Sequence, residues 1–207
     1  MARDPILHRI RTALGRSAEQ PASDPPPVRL RIPTVPMEAR IASMITRIEA
    51  LAGKAAETAD PCGVLAEMLE GKTAVASNAP CLAEWGITSL PGIRSGITDR
   101  EELRALCATA DVGITAADYA LADTGSLVMI SSPQEARLIS LLPPAHIALV
   151  PRDRILTGLD ELLTVLPDPA RVTSSMVLIT GPSRTADIEQ ILVRGVHGPG
   201  QIIVWIV

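Results

Sequence analysis

"MVLITGPSRTADIEQILVRGVHGPGQIIVWIV", Met176–Val207, decides the fold class. Two apolar runs, MVLIT and QIIVWIV, lack polar alternation, as strands covered on both faces do. Between them Gly181-Pro182 breaks the chain and a polar cluster follows. At about 100° per residue, Ile188, Ile191, Leu192 and Gly195 then share one face, opposite Asp187, Gln190 and Arg194. The stretch reads as strand, helix, strand, and that order argues for an α/β layered fold with mostly parallel pairing.

The rest of the chain repeats this alternation. "TAVAS", "VGIT", "SLVMIS" and "HIALVP" read as further strands. Helical spacing runs from Met37 through Ile41, Met44, Ile45, Ile48 and Leu51, with Gly53 as its stop. Asp60-Pro61 opens another helix as N-cap and first helical residue. Thr98-x-x-Glu101 reads as a capping box for "DREELRALCAT". A short helical turn is expected after Tyr119. The expected architecture is an open, mostly parallel sheet with helices on both faces. It occupies residues 36–207, behind an N-terminal arm over 1–35. The arm has a helix capped by Asp4, striped by Ile6, Leu7, Ile10 and Leu14 and stopped by Gly15, then a Pro-rich linker from Ser17 to Pro36.

Composition narrows the function. Aromatic residues make up 1% of the 207 residues, namely Trp85, Trp205 and Tyr119, so a base-stacking platform is not expected. The net charge is -4 with no long basic run, which argues against nucleic acid as a partner. The apolar run Leu138–Pro151 is too short to span a bilayer, and the charged N-terminus does not read as a signal peptide. A soluble, cytoplasmic protein is expected. Cys62, Cys81 and Cys107 form no C-x-x-C, so neither a metal site nor a cofactor is expected.

Two polar clusters are candidates for chemistry. At the first, Ser183, Arg184 and Thr185 sit where a strand hands over to a helix, beside free backbone N–H groups and a partial positive charge. They suit a small carboxylate or phosphate. Asp187 and Glu189 oppose an anion there, and simple helix capping with an Arg184–Asp187 pair also accounts for the cluster. The second is Asp123-Thr124-Gly125-Ser126, where Gly125 permits a tight turn that exposes N–H groups beside a carboxylate. Asp123 then reads as nucleophile or base, or as an acid bonding its own turn. His146 follows a Pro-Pro turn that suits a cis bond, and His197 lies in a turn. Both read as structural residues as readily as catalysts.

Four segments in this order, "GITAADYALADTGSLVMISS", "SLLPPAHIALVP", "ITGPSRTADIE" and "GVHGPGQIIVWIV", resemble the lactate utilization protein C family, a LUD-domain family. The family's Gly-Pro-Ser-x-Thr-x-Asp-Ile-Glu falls on Gly181, Pro182, Ser183, Thr185, Asp187, Ile188 and Glu189. Its Glu-Thr-Gly-Thr falls on Asp123, Thr124, Gly125 and Ser126, with the acid one methylene shorter. The resemblance implies a fold similar to the NagB/RpiA/CoA-transferase group. It implies a non-redox component of bacterial L-lactate oxidation to pyruvate, acting with iron–sulfur partner proteins. The two clusters together make Thr124, Gly125, Ser126, Gly181, Ser183, Arg184, Thr185 and Asp187 the candidate binding residues, with Asp123 and Glu189 as the candidate working acids should the chain be an enzyme. A stand-alone CoA-transferase or sugar-phosphate isomerase, and an assembly scaffold, are the alternatives. Whether the chain forms a homo-oligomer stays open, since "QIIVWIV" must be buried in a sheet or an interface.

Overall fold

The computed structural model describes residues 3–17, 32–186 and 192–207, in two compact units, Met1–Leu30 and Arg31–Val207. In the first unit, helix α1 spans Arg3–Ala13, so Asp4 lies in its first turn rather than at its cap. Gly15 ends it at φ 63°, with Gly15 N–H donating to the Thr12 carbonyl and Arg16 N–H to that of Arg11. The left-handed residue lets both bonds close the last turn. The Pro-rich linker falls mostly on 18–31, outside the described residues.

The second unit opens with α2 (Met37–Ala50), which buries Ile41, Met44 and Ile48. Its stop is Ala52 at φ 62°, not Gly53, whose N–H reaches back to the Ile48 carbonyl. Alanine pays about 1 kcal/mol for the left-handed region that glycine enters freely. Ala52→Gly is therefore expected to stabilise the protein by about 0.5–1 kcal/mol, read as a higher urea midpoint at unchanged slope.

The chain continues through β1 (Lys54–Glu57), α3 (Pro61–Met68), β2 (Ala74–Ala76), α4 (Pro80–Glu84), β3 (Ile93–Arg94), α5 (Arg100–Thr109) and β4 (Val112–Ala116). Asp60 caps α3 by accepting from Gly63 N–H at 2.9 Å. The cap of α5 is Asp99, accepting from Glu102 N–H at 2.8 Å, one residue later than the capping box predicts. The carboxylate is the stronger acceptor for a free helix N–H. Next come β5 (Tyr119–Leu121), β6 (Ser126–Ile130), β7 (Ala145–Val150), β8 (Ile155–Leu156), α6 (Leu159–Val165), α7 (Pro169–Val172), β9 (Met176–Ile179), β10 (Arg184–Ala186), β11 (Leu192–Arg194) and β12 (Gln201–Ile206).

The main sheet is six-stranded and parallel, in the order β1-β12-β7-β4-β2-β3. The α/β expectation with helices on both faces holds. One face packs Ile114, Ile147 and Leu149 against Leu65 of α3 and Leu82 of α4. The other packs Ala148, Val204 and Ile206 against Met44 and Ile48 of α2. Alternate residues of β12 serve opposite faces, which is why QIIVWIV is apolar throughout.

Three expectations fail. "MVLIT" and "SLVMIS" do not join the parallel sheet. They pair antiparallel in a second sheet, β8-β5-β6-β9, whose inner side adds Leu127 and Met129 to the core over α2. The turn expected after Tyr119 is strand β5, antiparallel to β6. And Ser183 does not open a helix: Arg184–Ala186 pairs antiparallel with Leu192–Arg194, Thr185 opposite Val193. In so short a segment apolar spacing does not distinguish the periods. The cross-strand ladder supplies backbone bonds that a two-turn helix leaves unmade at its ends. Residues 187–191 lie outside the described residues. The Pro143-Pro144 turn is trans, since no described peptide bond is cis.

Candidate functional site

In an open parallel sheet the ligand crevice forms where successive connections leave in opposite directions. Here β2 leads outward to β3, whereas β4 leads the other way to β7 and β12. The crevice therefore lies over the carboxyl ends of β2 and β4, and a cavity of about 510 Å³ is found there. Its lining includes Cys81, Ala116, Asp118, Ser132, Glu135 and Arg154. The loop after β6 folds back across this edge: Ser132 Oγ accepts from Glu135 N–H at 3.0 Å, and Asn78 N–H donates to the Gln134 carbonyl at 2.8 Å. That fold-back sets Glu135 over Ser77, the residue leaving β2.

Glu135 is 6% exposed. Ser77 Oγ donates to its Oε2 at 2.7 Å, and Oε1 has no partner. Burial pushes the carboxyl up to about 8; Ser77's bond and the backbone amide of Ala116 oppose this, and Asp118's charge adds to it. Glu135 is thus mainly protonated at neutral pH. Burial also raises Asp118, against the bond that Ile130 N–H donates to its Oδ2 at 2.6 Å and the charge of Arg154. Arg154 lies 5.5 Å from the Tyr119 ring centroid and donates to its hydroxyl at 3.4 Å. Burial raises the Cys81 thiol, which keeps it a weak nucleophile. The arrangement offers one neutral O–H donor, one cation and a half-buried acid at the mouth of the sheet.

The clusters singled out from the sequence lie elsewhere, but next to each other. Gly125, at φ 69°, seats its turn on α2, where a Cβ would stand 3.0 Å from Ile48 N. Gly181, at φ 74°, does the same over Leu51. Ser126 Oγ donates to Thr124 Oγ1 at 2.8 Å and lies 2.7 Å from Thr180 Oγ1, so the two segments are joined directly. Ser183 Oγ accepts from His197 N–H at 3.3 Å. Arg184 donates to the Leu51 carbonyl at the carboxyl end of α2, where a cation suits the helix dipole. Thr185 sits within β10. With no helix at Ser183, the backbone donors invoked for an anion are committed to a ladder. Asp187 and Glu189 lie outside the described residues. Asp123 borders a separate cavity of about 290 Å³ that also holds Asp160 and Glu161 and shares no lining residue with the Glu135 cavity. Three acids there repel an anion, though Arg40 binds Glu161 at 3.1 Å.

His146 is fully buried, bonded through Nε2 to Thr115 Oγ1 at 2.8 Å, and burial pushes it down to about 4, leaving a neutral residue of the core. Among the described residues no cluster of three His, Cys, Asp or Glu could hold a metal ion. Nor is any helix among them long and apolar enough to cross a membrane. Glu135 and Ser77 escaped sequence reasoning. Ser132-x-x-Glu135 has the look of a helix cap, and nothing local reveals that β2 and the β6 loop converge.

The profile of the LUD domain matches residues 41–207, most of the chain. The chain belongs to the LUD domain family. A protein called lactate utilization protein C from Exiguobacterium sp. is 33% identical over 154 residues, covering 72% of this chain and 67% of that protein. One of the same description from Halalkalibacterium halodurans is 35% identical over 142 residues, 64% of this chain and 61% of its own. The match thus spans about two thirds or less of these curated relatives. A DUF162 family protein of Deinococcus radiodurans, solved by crystallography, superposes with a TM-score of 0.63 over 84% of this LUD chain and 99% of its own, at 19% identity. At that identity the likeness shows the fold alone. The resemblance drawn from the four segments stands.

Proposed function

We propose that this LUD-domain protein is a non-redox component of bacterial L-lactate utilization, acting in the cytoplasm with iron–sulfur partner proteins, and that it binds a small carboxylate at the Glu135 cavity. The observation that carries this is the similarity, at 31–35% identity, to proteins called lactate utilization protein C. The position of the cavity at the strand reversal supports the binding part. The Asp123–Ser126 turn, with Gly181, Ser183, Arg184, Thr185, Asp187 and Glu189, enters as the second candidate patch. Its Ser126–Thr180 contact fits a brace between the small sheet and α2 as well as it fits a binding surface. A stand-alone enzyme similar in fold and chemistry to CoA transferases and sugar-phosphate isomerases is the competing reading, with Asp123 or Glu189 as working acid.

Complementation tests both. In a bacterium deleted for its own lactate utilization protein C, this chain is expected to restore growth on L-lactate. Arg154→Ala is expected to slow that growth several-fold, and Asp123→Ala to leave it near wild type. Turnover of an acyl-CoA or a sugar phosphate by the purified chain, abolished by Asp123→Ala, would replace this reading with the enzyme one.

A further inference from the structure

Helix α1 carries an apolar stripe that no described residue covers. Ile6, Ile10 and Leu14 are 56%, 50% and 63% exposed. At about 100° per residue, Leu7 joins them on one face, and Arg9 and Arg11 stand on its two borders. A surface with the opposite character lies along β1, the outermost strand of the main sheet. A cavity of about 490 Å³ runs beside it, with Ala56, Val64, Met68 and Trp205 in its lining. Glu49 reaches this cavity from α2 on one face of the sheet, and Glu67 from α3 on the other. Among the described residues neither acid is in an ion pair, and neither is Arg9 or Arg11. Lys54, the one cation of the lining, has its counterpart in Asp4 of α1. The lengths also agree: α1, with 11 residues, is about 16 Å long and the four-residue β1 about 13 Å.

We propose that the occupant of this groove is α1 of a second copy of the chain. Two copies exchange their N-terminal helices, each laying Ile6, Ile10 and Leu14 along the other's β1, with Arg9 and Arg11 beside Glu49 and Glu67. Such a groove reads a helix through anchors one turn apart, and opposite charges on its rim fix the register. Each copy supplies one basic helix and one acidic groove, so exchange about a two-fold axis leaves neither unmatched. An anionic bilayer is the other surface that suits a helix of this kind, but the chain as a whole has a net charge of -4 and is repelled by it.

Sedimentation of the full chain over a concentration series is the test. The wild-type chain is expected to form a dimer that dissociates on dilution. Ile10→Asp, at an exposed position, is expected to weaken that dimer at least about 10-fold. Two charge reversals made in separate chains, Arg9→Glu with Arg11→Glu and Glu49→Arg with Glu67→Arg, are expected to do the same. Mixed one to one, the two reversed chains are expected to regain most of the wild-type affinity, because each helix then meets a groove of opposite charge. A purely structural role for these exposed side chains yields no such rescue. A wild-type chain that stays monomeric overturns the proposal. So does a dimer indifferent to Ile10→Asp and to both reversals, and so do reversed chains that stay apart when mixed.

Discussion

At pH 8.5, Glu135→Gln is expected to be more stable than the wild-type protein by roughly 3–5 kcal/mol. The sign follows from the direction of the shift. Glu135 rises from 4.5 in the unfolded chain to about 8 in the fold. The folded state therefore holds its proton more tightly. Its contribution is intact below pH 4.5 and drains away as pH climbs to 8. Glutamine keeps the shape, accepts from Ser77 and never ionises, so it escapes this loss. His146 acts in the opposite sense. It falls from 6.5 to about 4 on burial, so its contribution is intact above pH 6.5 and drains as pH drops to 4. From pH 4.5 to 6.5 the two slopes cancel. Wild-type stability should be flat there, decline by about 2 kcal/mol from pH 6.5 to 8 and decline again in acid. In Glu135→Gln the alkaline decline should vanish, and the acid decline should begin near pH 6.5, since nothing then offsets His146. Urea unfolding at half-unit pH intervals reads both limbs. An alkaline limb that persists in the variant would show that Glu135 ionises freely in the fold.

Gly113→Ala should cost more than about 3 kcal/mol and lower the melting temperature by roughly 10 °C. Gly113 lies mid-strand in β4, between β2 and β7. A Cβ there would fall 1.9 Å from the Ile139 carbonyl oxygen and 3.2 Å from the Pro143 ring. The obstacle is backbone, so rotamer changes cannot relieve it. The tight turn Arg137–Ser140 would have to lift, and it follows directly on Glu135. The variant should therefore also blunt the pH dependence attributed to Glu135. Near-wild-type melting would show that this turn has room to move off the sheet.

Much of the main sheet was written in local pattern. The two-sided apolar runs of β4, β7 and β12 announce burial on both faces, and Asp60-Pro61 marks the start of α3 to the residue. The small sheet was not legible, because β6 and β9 are as apolar as the parallel strands and differ from them only in what lies opposite. The failure at Ser183 has the same origin: Thr185 and Val193 acquire their strand state from each other. The candidate site was hidden more thoroughly. Ser77 and Glu135 are brought together by a loop crossing the sheet edge, and an isolated glutamate in "SSPQEAR" looks like surface. What the sequence did carry was the neighbourhood of Gly125 and Thr180, two turns that the fold presses onto one helix.

The place of β1 has a kinetic corollary. Lys54 pairs with Ile203, roughly 150 residues further along the chain, and β1 pairs with no other strand among the described residues. Such a pairing must await closure of nearly the whole intervening loop, so assembly is slow and β1 docks only once β12 is seated. Until then β12 presents a bare apolar margin, the species most prone to stick to other chains during refolding. In the finished protein the same dependence runs backwards: amides of β1 should exchange with solvent sooner than those of β4 and β7, marking the seam along which the sheet first comes apart.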